Sequence, residues 1–129
     1  MSADREYIAA GSADSNGYLF DKDSSTPLWN YTTGGYVRSV AISADGEYIA
    51  AGSDDSNVYL FDKDSSTPLW SYTTGEMVWT TAISADGEYI VADSWDDKVY
   101  LFHRDTSPPL WNYTTGGYLR SVAISADGE

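Results

Sequence analysis

The 129-residue sequence has no cysteine, which removes disulfides and thiolate metal sites from consideration. It has one histidine, His103, and no glycine-rich phosphate loop. No nucleophile–base pair can be drawn from it, so no catalytic residue and no cofactor are assigned. Basic residues are scarce: 7 Lys and Arg face 20 Asp and Glu, a net charge of −13. Such a chain repels phosphate backbones and anionic membrane surfaces, so neither nucleic acid nor membrane is expected as a partner. No apolar run approaches the ~20 residues of a membrane helix. The opening Met1-Ser2-Ala3-Asp4-Arg5-Glu6 lacks the basic start and apolar centre of a signal peptide.

What the sequence has is repetition. Tyr7–Glu47, Tyr48–Glu88 and Tyr89–Glu129 are consecutive 41-residue units without gaps, and the first two differ at only eight positions. Residues 1–6 read as the tail of a preceding unit, and the whole of 1–129 as one repeat domain. A period of this length marks an architecture in which each unit buries its faces against its neighbours. The near-identity of the first two units points to recent duplication or deliberate copying.

Within a unit the pattern is four short strands. Tyr36–Ser43 is a β run, and Ala44-Asp45-Gly46-Glu47 supplies hairpin chemistry. Tyr48–Ser53 is a strand of small and apolar residues, suited to close approach of neighbouring sheets. Asp54-Asp55-Ser56-Asn57 turns into Val58-Tyr59-Leu60-Phe61, where Val58 and Leu60 point one way and Tyr59 and Phe61 the other. Both faces are apolar, so both must be covered. After the polar loop Asp62–Pro68 comes Leu69–Thr74, the fourth strand. Nothing has the 3.6-residue period of a helix. The expected fold is all-β, a propeller segment of three four-stranded antiparallel blades.

Ser43-Ala44-Asp45-Gly46-Glu47-Tyr48-Ile49-Ala50-Ala51-Gly52-Ser53-Asp54-Asp55, followed by Val58-Tyr59-Leu60-Phe61-Asp62, resembles the core of a WD-repeat blade. Phe61-Asp62 stands where that family has Trp-Asp, and its Gly-His dipeptide is missing. Phe61-Asp62 through Leu69-Trp70 also resembles the tryptophan-docking motif of quinoprotein-type propellers, with Ser66 in place of the usual Gly. This resemblance implies that Trp29, Trp70 and Trp111 dock between blades. A quinone cofactor would follow from fold analogy alone, which is a weak warrant for function.

The chain opens just before the second strand of a blade and closes just after a first strand, so Tyr118–Ser125 is a spare innermost strand. Three blades would each have to subtend about 120°, whereas propellers carry ~4–8 blades. Ring closure by oligomerisation is therefore expected. Tyr118–Ser125 of one copy would pair with Tyr7–Ser12 of the next, a head-to-tail contact made through Tyr7, Ile8, Val122 and Ile124. The partner is the chain itself, with a nine-bladed homotrimer favoured over a six-bladed homodimer. Because the units are so alike, wrong blade pairings are nearly isoenergetic with right ones, and mixed ring sizes would not surprise.

Candidate sites are few. Arg38, Trp79 and Arg120 occupy one position of the first strand, which lines the channel in propellers. They could form a ring that stacks on a sugar or pairs with an anion, or else Arg pairs with acidic loops and Trp79 fills a gap. His103 stands where the other units have Asp21 and Asp62, and reads as a replaced turn cap. Asp21–Ser25 and Asp62–Ser66 alternate oxygen ligands, but Thr26 and Thr32 stand where a helix-loop-helix calcium loop needs Gly and Glu, so no metal is assigned. Asn30-Tyr31-Thr32 and Asn112-Tyr113-Thr114 match the N-glycosylation acceptor pattern. Asp93 and Trp95, replacing Gly52 and Asp54, have no functional account. The sequence thus reads as a non-enzymatic, self-assembling propeller scaffold or a fragment of a larger propeller. The alternative is an extracellular or cell-surface module recognising a small carbohydrate or peptide through its channel.

Overall fold

The computed structural model describes residues 7–21, 25–44, 46–105, 109–115 and 124. Its strands are β1 (Tyr7–Gly11), β2 (Asn16–Asp21), β3 (Trp29–Thr32), β4 (Val37–Ile42), β5 (Tyr48–Ser53), β6 (Asn57–Asp62), β7 (Trp70–Thr73), β8 (Val78–Ile83), β9 (Tyr89–Ser94), β10 (Lys98–His103) and β11 (Trp111–Thr114). They form three antiparallel sheets in the orders β1-β2-β3, β4-β5-β6-β7 and β8-β9-β10-β11. These sheets are blades 1, 2 and 3. Among the described residues blade 1 has three strands and lacks an inner one, as the sequence pattern implies.

Local chemistry sets the turns. Between β4 and β5, Gly46 at φ 74° donates its N–H to the Ser43 carbonyl at 2.9 Å, and Ser43 N–H bonds Tyr48 O at 3.0 Å. Gly87 at φ 73° repeats this between β8 and β9; a Cβ on it would lie 2.5 Å from Tyr48 Cδ2. Glycine is required there for backbone and for space. The turns before β2, β6 and β10 place Ser15, Ser56 and Asp97 at φ 75°, 74° and 70°. They hold that shape because Asp14, Asp55 and Asp96 accept the N–H groups of Asn16, Asn57 and Lys98 at 2.9, 3.0 and 3.0 Å.

Strand alternation then builds the core between sheets rather than within one. Leu19, Val37, Ile49, Ala51, Tyr59 and Phe61 are buried together between blades 1 and 2. Ala50, Val58, Leu60, Val78, Ile90, Ala92, Tyr100 and Phe102 are buried together between blades 2 and 3. The two faces of β6 thus feed different cores, as its alternation predicts. The small residues of β5 allow the close approach: a Cβ on Gly52 would sit 2.5 Å from Val78 Cγ1.

Candidate functional site

The polar structure of the molecule is concentrated at the joints between blades. On the outer side, Trp29 of β3 donates its indole N–H to the Lys63 carbonyl, beyond β6, at 2.8 Å. Its ring lies 5.1 Å from Phe61. Trp70 of β7 does the same to the Arg104 carbonyl at 2.8 Å, with its ring 5.1 Å from Phe102. Tyr31 and Tyr72 meet the same phenylalanines edge-on at 5.3 and 5.5 Å. The cationic stems return across the joint: Lys63 Nζ lies 5.9 Å from the Tyr7 ring and Arg104 lies 5.1 Å from the Tyr48 ring. Leu28, Leu69 and Leu110, the other half of each Leu-Trp pair, are exposed.

A second network ties each turn to the loop leaving the preceding blade. Asp55 accepts from Tyr59 Oη and from Gly34 N–H at 2.9 Å, and Asp96 accepts from Tyr100 Oη and from Gly75 N–H at 3.0 Å. Burial alone would push the Asp55 carboxyl up, but these hydrogen bonds and that of Asn57 outweigh it and leave it below the usual carboxylate range. Burial and the same carboxylate drive the Tyr59 hydroxyl above the range of an ordinary tyrosine. This network was not singled out from the sequence. Its signal was there, as aspartate and tyrosine four residues apart at 14/18, 55/59 and 96/100.

At the inner edge, Thr81 N–H of β8 donates to Ser39 Oγ of β4 at 3.0 Å, so the joint continues through hydroxyls. Arg38 and Trp79 both sit at bulges, where pairing steps from Val37 to Ser39 and from Val78 to Thr80. A bulge re-aims the extra residue, and these two side chains come together. The Arg38 guanidinium lies 5.2 Å from the Trp79 ring and 5.3 Å from the Tyr36 ring. It grips Asp54 with two bonds of 2.8 Å. Trp79 stacks on Trp95 at 4.8 Å. Asp54 and Trp95 are equivalent turn residues, so each bulge side chain is matched to its own blade's turn: arginine to aspartate, tryptophan to tryptophan. Arg120, the third position of this set, lies outside the described residues.

Asp93 of β9 is fully buried. Its carboxylate accepts Thr80 N–H at 2.8 Å and Thr80 Oγ1–H at 3.0 Å. Burial holds its carboxyl above the ordinary aspartate value, more than those two bonds lower it. His103 Nδ1 accepts Asp105 N–H at 3.2 Å, as Asp62 Oδ1 accepts Asp64 N–H at 2.9 Å, so it takes over a turn-capping bond. Glu88 and Asp105 carboxylates flank the ring at 3.8 and 3.6 Å.

The outward flanks differ from the joints. Trp111 and Tyr113 of β11 are 53% and 65% exposed, whereas Trp29, Tyr31, Trp70 and Tyr72 are half-buried. Tyr7 is half-buried, Ile8 is exposed and Ile124 is half-buried outside any strand; Val122 lies outside the described residues. Asn30 and Asn112 are both exposed.

Two stretches, 25–62 and 66–103, match the family model for the WD domain, G-beta repeat. Together they cover more than half of the chain. The chain belongs to the WD-repeat family. Each matched stretch runs from the outer strand of one blade through the first three strands of the next, β3–β6 and β7–β10. The repeat as the family defines it therefore spans a joint, and Trp29 and Trp70 lie in the same matched stretch as Phe61 and Phe102, the rings each one packs on, while the carbonyls they bond, of Lys63 and Arg104, come one residue after it. No curated protein matches this WD-repeat chain significantly.

Proposed function

We propose that this WD-repeat polypeptide is a non-enzymatic scaffold that assembles head to tail with copies of itself into a closed propeller, nine blades from three chains. The observation that carries this reading is the contrast between equivalent residues. Trp111 and Tyr113 stand largely in solvent, while their counterparts in blades 1 and 2 are covered by the next blade. Blade 1 offers the matching surface. Its Tyr18 and Phe20 rings lie 6.1 Å apart, as Tyr59–Phe61 and Tyr100–Phe102 do at 6.2 and 6.1 Å where they receive a Trp–Tyr pair. Asp14 is bonded by Tyr18 in the same way as Asp55 by Tyr59, and is exposed where Asp55 is half-buried under a glycine N–H of the preceding blade. Each flank thus carries one half of a joint that blades 2 and 3 complete. An exposed apolar sheet face of this kind favours association.

Light scattering coupled to size exclusion is the test. A mass of three chains is expected, with two chains as the six-bladed form. A folded monomer at micromolar concentration contradicts the proposal. A second reading, recognition of a small carbohydrate or peptide at the inner rim, draws support from the ladder of Tyr36, Arg38, Trp79 and Trp95, in which Tyr36 is half in solvent. It requires binding on a glycan or peptide array that is lost in Trp79→Ala.

A further inference from the structure

One short run of residues carries the tryptophan, tyrosine, threonine and glycine contacts of each joint. Trp29 donates to the Lys63 carbonyl at 2.8 Å, and Tyr31 packs on Tyr59 and Phe61 at 5.4 and 5.3 Å. Thr33 Oγ1 meets Ser53 Oγ at 3.1 Å, and Gly34 N–H reaches Asp55 Oδ2 at 2.9 Å. In the next joint Trp70 donates to the Arg104 carbonyl at 2.8 Å, and Tyr72 packs on Tyr100 and Phe102 at 5.8 and 5.5 Å. Thr74 Oγ1 meets Ser94 Oγ at 3.1 Å, and Gly75 N–H reaches Asp96 Oδ2 at 3.0 Å. The intervening Asn30, Thr32, Ser71 and Thr73 are exposed. Strand alternation presents every second side chain to the neighbouring blade. The outer half of a joint is therefore written in a linear element, Trp-X-Tyr-X-Thr-Gly.

Blade 1 carries the surface that receives such an element. Tyr18 and Phe20 are half-buried, whereas Tyr59, Phe61, Tyr100 and Phe102 are buried. The Tyr18 and Phe20 rings stand 6.1 Å apart at 28°, against 6.2 Å at 26° and 6.1 Å at 19° in the filled joints. Tyr18 Oη donates to Asp14, and Asp14 caps Asn16 N–H at 2.9 Å, so this carboxylate is oriented as Asp55 is. Asp14 is exposed, and Ser12, the equivalent of Ser53 and Ser94, is half-buried where those two are buried. The receiving face thus keeps the arrangement of the filled joints while more open to solvent. A site formed in advance lowers the ordering cost of binding. Lys22, in the place of Lys63, lies outside the described residues.

We propose that the outer flank of blade 1 is a peptide-binding site for an extended Trp-X-Tyr-X-Thr-Gly segment, and that its occupant is residues 111–116 of a second copy. Trp111 and Tyr113 of that segment are exposed, and Gly116 lies outside the described residues. The occupant is the one named in the self-assembly reading, on which this inference rests. What it adds is that six residues suffice for recognition, so a free peptide of that sequence takes the place of a whole blade.

A peptide of residues 110–117, with a fluorophore at its N-terminus, is titrated with Trp111→Ala/Tyr113→Ala chain. That variant has lost its own segment and leaves blade 1 free; both replaced side chains are exposed, and near-ultraviolet circular dichroism reports its fold. Anisotropy is expected to rise with a Kd below about 1 mM, weak because a free peptide must be ordered on binding. Phe20→Ala or Asp14→Asn in the same chain, or alanine in place of Trp111 in the peptide, should each weaken binding about tenfold or more. Binding indifferent to all three changes, or none up to about 1 mM, overturns the site, and a wild type that still assembles by native mass then leaves the self-assembly reading standing. A monomeric wild type that takes up the peptide keeps the site and overturns the second copy as its occupant. Should the double variant not fold, W111A alone is the host, with the same outcomes.

Discussion

Replacing Trp70 and Trp111 separately by phenylalanine tests the joint and its closure together. At Trp70 the change removes an indole N–H that reaches the Arg104 carbonyl at 2.8 Å, while keeping an aromatic ring near Phe102. A neutral hydrogen bond of this type contributes about 0.5–1.5 kcal/mol net, and leaving a carbonyl partly desolvated adds to the loss. The ring also shrinks at a half-buried site, a loss of some tenths of a kcal/mol on the scale of ~25 cal/mol per Å². W70F should therefore be destabilised by about 1–2 kcal/mol, and at this chain length each kcal/mol lowers Tm by about 3–5 °C. Trp111 is more than half exposed within one chain, so there W111F should cost next to nothing. In a closed assembly Trp111 would dock on the Tyr18–Phe20 face of the next copy as Trp70 does on Tyr100–Phe102, and W111F should then cost as much per joint as W70F. It should also shift the dissociation midpoint on dilution by about tenfold for every 1.4 kcal/mol. Urea denaturation at two protein concentrations reads both quantities. Equal, concentration-dependent losses support closure; a neutral W111F beside a destabilised W70F rules closure out. A neutral W70F would refute the physical account of the joint itself.

Three further outcomes are expected. Gly52→Ala should lose about 1–3 kcal/mol, because its Cβ would press on Val78 and Thr81 across the joint; at Gly17, by contrast, a Cβ meets nothing within 4 Å and Gly17→Val should be neutral or gain up to ~1 kcal/mol in urea melts. Asp93 is raised by burial, so the folded protein holds its proton more tightly than the unfolded chain does, and the cost of the ionised form is absent below about pH 3 and grows as pH rises through the raised value. The Tm gain of Asp93→Asn over wild type should therefore be nil at about pH 3 and largest at neutral pH, and a constant gain across that range would contradict it. Arg38→Ala should cost only about 1 kcal/mol despite its two short bonds to Asp54, since the guanidinium lies at the surface even though Asp54 is mostly covered, and 0.5 M salt should shrink the effect further.

Sequence by itself determined the repeat, the four-strand pattern and which face of each strand is apolar. Those follow from a period of two, from Asp-Gly hairpin chemistry and from residues such as Tyr59 and Leu60 that act within one strand. The turn-capping substitution at His103 was also legible, because the bond it makes reaches only two residues along the chain. Tertiary structure decided what lies across a joint, because those contacts join residues 34 or 42 positions apart, as in Trp29 to Lys63 and Ser39 to Thr81. The pairing of Arg38 with Asp54 and of Trp79 with Trp95, and the hydrogen bonds from Thr80 that occupy Asp93, depend on bulges at Arg38 and Trp79. The bulge shows locally only as a step in the apolar spacing from Val37 to Val40 and Ile42, and that step does not say which side chains of the neighbouring turn the extra residue will meet, so local pattern could list these residues but could not bring them together.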